Sequence, residues 1–419
     1  MKKYSSFISI LSIFVVTFSF VPCKKSYKTV TIWTDQAELV SYAELFNSQH
    51  EYTKAVVVYK EYIPASLPLA KDEKAPDIII GSWLKNKKLK KNFAPISNIF
   101  GKNKIPKNSF YESMLNYGKF GTQQYLLPVS FNLPVIIFSS KNESFVNEDF
   151  TLTIKQIRDI AGGFNDKNKK GIFTNMGFAP SWDPAFLYTA AKLSGVDFSE
   201  KNGEFVWNKD KLEQLTRYIK AWSSELNEST VVEQDFAFKY LYTPSYKQIA
   251  LGRCLFSYTT SNKLFSLLPE QIEDTDFRWL SDGKSIIAED DITMLALYKK
   301  SRFSKTALDF IKWFFTEENQ KEMMQRIARM NLNTNAFGIA NGFSALKTMN
   351  EHNFHLFYKS LIGNLPPEEF IQAPQELPSR WESLKSRVVV PYLADVTNTN
   401  LTNIQSMEDR LNAWSKQFN

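Results

Sequence analysis

Three histidines, His50, His352 and His355, and one run of consecutive acids, Glu289-Asp290-Asp291, are the first candidates for chemistry in this chain. His352 and His355 stand three residues apart and could share a helix face, but no cysteine or carboxylate set beside them completes a metal-ligand pattern. Asp166, Asn168 and Gly171 echo part of a calcium loop. Lys170 occupies a ligand place there and Gly177 stands where a bidentate glutamate is needed, so no calcium site is expected, and no metal elsewhere. The acid run falls in an expected strand, where consecutive side chains point to opposite faces, so it makes no acid/base pair. A GxSxG elbow, an HExxH pair, a Walker A loop and a dinucleotide fingerprint are all absent. The chain is therefore expected to be no enzyme and to use no cofactor. What remains is non-covalent binding by aromatic and polar side chains, and that depends on where the elements put them.

Residues 125–140 read YLLPVSFNLPVIIFSS, an apolar run in which Pro128 and Pro134 flank Ser130 and Asn132. Proline cannot donate to a sheet ladder, so it marks strand starts, edges and bends. The run suits a chain leaving one hydrophobic core for another; a single bent central strand is the alternative. Residues 285–298 form a second strand-like crossing, and two crossings make a hinge. At 419 residues the chain exceeds one typical core. The expected division is a first lobe of residues 24–130 and 292–340, and a second of 131–291 and 341–419.

Within the first lobe, residues 28–34, 55–59 and 78–80 read as strands, the last an Ile run buried on both faces as in parallel sheets. A helix is expected over 36–48 with Asp35 as its cap. Ligands of open α/β sheets bind at the carboxyl ends of strands, which brings Asp35 together with Ser82 and Trp83. Further on, helices are expected at 150–160, 186–193, from an Asn208 cap through Leu226 with Trp222 in the core, at 307–315 and at 406–418. A strand is expected over 250–258 and a loop over 329–343.

Composition is that of a globular protein, with 43% hydrophobic and 23% charged residues, and unusually aromatic, with 34 Phe, 18 Tyr and 9 Trp. Lys2 and Lys3, an apolar segment at 7–20 and Cys23 read as a signal peptide of residues 1–22. The segment is too short for a membrane span. Cys23 resembles the lipidated cysteine of a bacterial lipoprotein, with Pro22 departing from the small residue expected there. Cys254 is the one cysteine left, so no intrachain disulfide can form. The lysines at 85, 87, 88, 90 and 91 suggest a solvated helix face, or a surface near anionic lipid; nucleic-acid binding would want a longer basic stripe with interleaved aromatics.

Ile32-Trp33-Thr34-Asp35, then Tyr42-Ala43-Glu44-Leu45-Phe46-Asn47, then Ala75-Pro76-Asp77-Ile78-Ile79 resemble the start of a family 1 extracellular solute-binding protein of an ABC importer, the sugar-binding, maltodextrin-binding-like group. Tyr125-Leu126-Leu127-Pro128 with Asn132 resembles its first hinge strand, and residues 307–320 resemble its best-marked later segment. The resemblance implies a two-lobed α/β fold of the periplasmic-binding-protein type II, each lobe a mostly parallel sheet flanked by helices. It implies a monomer that captures a small solute, a sugar, and delivers it to permease subunits, held to the membrane by its lipid anchor outside the cytoplasm. It places Trp182 and Trp381 where the family stacks aromatics on ligand, and turns the 252–262 segment towards the cleft. A sugar presents an apolar ring face and a rim of hydroxyls. Trp83, Trp182, Tyr258 and Trp381 then offer faces; Asp35, Ser82, Asn132, Asp183 and Asn262 offer rim partners. Core packing is the alternative for the tryptophans. Two rival classes stand beside this one: a lipid-anchored surface adhesin on the same scaffold, and a lipoprotein glycoside hydrolase, which needs a carboxylate pair not located here.

Overall fold

The computed structural model describes residues 27–101, 104–146, 149–330 and 336–417. The expected signal peptide and Cys23 lie outside the described residues. Two sheets carry the fold. The first takes β1 (Lys28–Thr34), β2 (Thr53–Tyr59), β3 (Ile78–Gly81), β4 (Phe93–Ala94) and β5 (Leu126–Phe131). The chain then builds a second sheet from β6 (Pro134–Ser139), β7 (Thr151–Thr153), β8 (Phe256–Thr260) and β9 (Thr275–Ser281). It returns to the first as β10 (Thr293–Tyr298) and β11 (Phe343–Ser344).

The first sheet runs β11-β5-β10-β3-β1-β2, with β4 on β10, and the second runs β8-β6-β9-β7. β1 pairs in parallel with β2 and β3, but β10 runs antiparallel to both β3 and β5. The sheets are thus mixed, not mostly parallel, because the strands at the crossings run against their neighbours. Ile78, Ile79 and Ile80 are fully buried in the middle of the first sheet. Pro128 has no N–H for the ladder, and the β5–β10 register shifts beside it, between Thr293 and Met294.

β6 separates two cores by simple alternation. Val135 and Ile137 pack into the cluster that fills the first lobe, while Ile136 and Phe138 pack into the cluster of the second. The first cluster continues past the crossing through packed aromatics. Phe265 lies 4.9 Å from Phe337, and Trp279 lies 5.7 Å from Phe343, centroid to centroid.

Several expectations change. The first helix spans Leu39–Gln49, and Asp35 does not cap it. Residues 150–160 divide into β7 and a helix, Ile154–Phe164, because Thr153 and Gln156 close a capping box. Residues 245–250 are helical, and β8 starts only at Phe256, after Gly252 turns with φ +64°. The lysine run is turn and a short 3-10 helix, Lys90–Asn92, so it makes no helix face. Residues from 341 do not all join the second lobe: β11 pairs with β5 in the first sheet. Asn208 caps Lys209–Leu226, and Trp222 on that helix is fully buried.

Candidate functional site

The ends of β1 and β3 meet at one edge of the first sheet. There Asp35 Oδ2 accepts the Ser82 backbone N–H at 3.0 Å, and Oδ1 accepts Gln36 Nε2 at 2.7 Å. Gly81 leaves room for this carboxylate; a Cβ on it would lie 2.8 Å from Asp35 Oδ2. Burial, helped by the charge of Glu382, pushes the Asp35 carboxyl above its usual range despite these hydrogen bonds. Trp83 follows with φ +63°, a left-handed backbone that a bulky residue adopts only at a cost of about 1–3 kcal/mol. The turn carries its ring out of the first lobe and against the core of the second.

Trp83 thereby forms part of a cavity of about 520 Å³ between the lobes. Tyr62, Lys85, Lys88 and Tyr117 line it from the first lobe; Arg380, Trp381, Glu382 and Arg387 line it from the second. Asp290 and Ile292, on the returning crossing, line it between the two. Burial, together with the carboxylate of Glu382 across the gap, pushes the Tyr62 phenol pKa up to about 12. Apolar surface from Leu67, Leu89 and Leu377 alternates with polar groups around the wall. Such a mixture suits a ligand with apolar faces and a polar rim.

Asp290 organises the second-lobe wall. Its Oδ1 accepts Lys192 Nζ at 2.8 Å. Its Oδ2 accepts Tyr188 Oη at 2.6 Å, Trp381 Nε1 at 2.9 Å and Lys385 Nζ at 3.0 Å. Burial pushes this carboxyl up, but Lys192, Lys385 and the hydrogen bonds together outweigh it and hold it well below the usual range. Glu289 goes the other way: burial and the neighbouring acids raise it against the pull of the same lysines.

Trp381 sits under this network at 3 % exposure, with Tyr188, Phe198 and Phe205 around its ring. It borders the cavity but belongs to the second core. Its indole N–H donates to Asp290, which lines the same cavity. Of the expected site residues, Trp83 and Trp381 share the large cavity, with Asp35 and Ser82 bonded to each other at the strand ends behind Trp83. Trp182, Asp183 and Tyr258 gather instead around a separate cavity of about 300 Å³ in the second lobe. Trp182 donates Nε1 to the Glu233 carbonyl and stacks on Phe236 at 5.6 Å. Asp183 caps the Pro184–Leu193 helix, and Tyr258 is buried with its hydroxyl on Thr189 at 2.8 Å.

Asn132 and Asn262 are brought to neither cavity wall. Asn132 joins the crossings instead: Nδ2 donates to the Asn341 carbonyl, Oδ1 accepts Ser261 Oγ, and its carbonyl accepts the Glu289 N–H. Asn262 Oδ1 accepts from Thr260 and from the Lys263 N–H at the start of a short helix. Tyr62, Lys85, Arg380, Glu382 and Asp290 escape sequence reasoning as site residues. The lysine run touches Lys85, the acid run touches Asp290, and the stretch around Trp381 takes in Arg380 and Glu382.

Comparison with known proteins agrees with this geometry. A family model described as a bacterial extracellular solute-binding protein matches residues 41–347. Among curated proteins, none is similar in sequence. A family 1 extracellular solute-binding protein from Alicyclobacillus acidocaldarius superposes with a TM-score of 0.66 at 11% identity, covering 94% of this chain and 99% of its own. The GacH receptor of Streptomyces glaucescens, solved alone and with acarbose, gives 0.61 at 11% identity, covering 93% and 98%. CpMnBP1 with mannotriose bound gives 0.61 at 15% identity, covering 93% and 99%. At these identities the superpositions establish the two-lobed α/β fold, and the matched family model covers well over half of the sequence. The chain belongs to the family of bacterial extracellular solute-binding proteins.

Proposed function

We propose that this protein captures a carbohydrate between its lobes, outside the cytoplasm, and delivers it to the permease of an ABC importer while anchored through a lipid on Cys23. The observation that carries the reading is the interlobe cavity, walled by residues 62–89 on one side and 377–387 on the other. A solute there touches both lobes only when they approach, so binding shifts the balance from open to closed. The sugars named for CpMnBP1 and the GacH receptor favour an oligosaccharide of similar size. Trp83 and Tyr62 give the ring faces; Asn86 and Ser383 reach the hydroxyl rim. The lobes turn about residues 132–133 and 289–292, where the chain passes between sheets.

Calorimetry against a panel of oligosaccharides, followed by small-angle scattering with the best binder, tests this. Saturable binding without turnover and a smaller radius of gyration are expected. Turnover would favour the hydrolase, and absence of binding the surface adhesin. An unchanged scattering profile at saturation would remove the closure mechanism. For the anchor, Cys23→Ser should move the protein to the aqueous phase of a detergent partition.

A further inference from the structure

The first sheet has a second edge, opposite the one that carries Asp35, Ser82 and Trp83. β1 and β2 start there in register, Lys28 beside Thr53, and the Lys28 N–H donates to the Tyr52 carbonyl at 3.0 Å. β3 also starts there, and antiparallel β10 ends there, with Leu297 paired to Ile78. Asp77 ties the turn after β10 to this edge. Its Oδ1 accepts Ser301 Oγ at 2.6 Å, and its Oδ2 accepts the Thr31 N–H at 2.9 Å. The buried acid of this edge is thus engaged within the fold.

The outward groups are cationic and aromatic. Lys28 from the strand start, and Lys299, Lys300 and Arg302 from the tied turn, are exposed. Lys54 Nζ lies 5.6 Å from the Tyr27 ring centroid. Tyr27, Tyr52 and Phe303 are 48 %, 66 % and 42 % exposed. Across residues 27–28, 50–54, 75–77 and 298–303, which make up these strand ends, Glu51 is the exposed acid. Basic side chains interleaved with exposed rings suit an anionic bilayer, with the rings at the interface and the cations over the headgroups.

The chain itself brings lipid to this edge. Cys23 stands four residues before Tyr27, and four residues span at most about 14 Å. A lipid on Cys23 holds the strand starts within that reach of the bilayer. The potential of anionic headgroups falls off over a Debye length of ~8–10 Å, so it acts on cations held this close.

We infer that the first lobe rests on an anionic membrane surface through this edge, with Tyr27, Tyr52 and Phe303 at the interface and Lys28, Lys299, Lys300 and Arg302 over the headgroups. This contact rests on the proposed lipid anchor and specifies which face the anchor holds down. β1 runs roughly 20 Å from this edge to Asp35, so the contact leaves the cavity clear of the membrane.

The test separates the surface from the lipid. Mature protein carrying Cys23→Ser should co-sediment with vesicles of phosphatidylcholine and phosphatidylglycerol in equal parts. It should not do so with phosphatidylcholine alone, and salt should release it. Lys299→Ala, Lys300→Ala and Arg302→Ala should each weaken that binding about 5-fold, with unchanged thermal melts. Lys169→Ala, on a second-lobe loop, should leave it unchanged. In the lipidated protein, a fluorophore on Tyr52→Cys should be quenched by nitroxide-labelled lipid, and one on Lys169→Cys should not. Cys254 is buried and takes no label. Lipidated protein that stays on vesicles with position 52 unquenched overturns the contact and leaves the anchor standing. Native protein without acyl chains that still binds anionic vesicles overturns the anchor and leaves the contact standing. Failure of the Cys23→Ser protein to prefer anionic over neutral vesicles, or binding that survives the three substitutions together, overturns the assigned face.

Discussion

Truncating Trp381 asks whether this tryptophan belongs to the core or to the ligand. Its side chain is 3 % exposed, with the rings of Phe198, Tyr188 and Phe205 at 5.8 Å, 6.0 Å and 6.0 Å. Removing a buried ring of this size costs about 3–5 kcal/mol through lost contacts and the cavity left behind. Asp290 also loses the indole donor but keeps Tyr188, Lys192 and Lys385, which limits that part to about 1 kcal/mol. The total is about 4–6 kcal/mol. For a cooperative unit of 150–250 residues, each kcal/mol moves the midpoint by about 2–4 °C. Trp381→Ala should therefore lower the second-lobe transition by roughly 8–24 °C in a calorimetric melt. Trp381→Phe keeps most of the ring volume and should lose less than half of that. A melt within ~2 °C of the parent protein, with ligand affinity lost, would mean that the ring packs on ligand and that its burial here contributes little.

Three further predictions follow from the same contacts. Burial and neighbouring acids raise the Glu289 pKa above its usual 4.5, so its contribution to stability is present below that value and is lost as pH rises through the folded value. Glu289→Gln should then raise the neutral-pH melting temperature, and the gain should vanish below pH 4.5; an equal gain at both pH values would refute this. Gly81→Ala puts a methyl 2.4 Å from Ile63 Cδ1 and 2.8 Å from Asp35 Oδ2, and should destabilise by ~1–3 kcal/mol in urea unfolding. Asn132→Ala removes the bonds to Asn341 and Ser261 at the crossings and should cost ~1–3 kcal/mol, whereas a residue serving only the ligand would leave the melt unchanged.

Local pattern decided much of the architecture. The Ile78-Ile79-Ile80 run, the alternation of β1, the Asn208 cap and the prolines around Asn132 are properties of adjacent residues, and short-range sterics and burial read them directly. The meeting of Asp35 with Ser82 was legible too, because parallel strands in one sheet bring their carboxyl ends to one edge. The rest depended on contacts between residues far apart in sequence. Nothing near Trp381 announces Asp290, 91 residues away, yet one hydrogen bond joins the two on the cavity wall. Asn132 has the side chain of a ligand-binding residue, but three segments converge on it and satisfy it first. The lysine run showed its charge in the sequence. Only the fold put Lys85 and Lys88 opposite Arg380 and Arg387, because a cleft between two lobes is made by surfaces that no single stretch of chain contains.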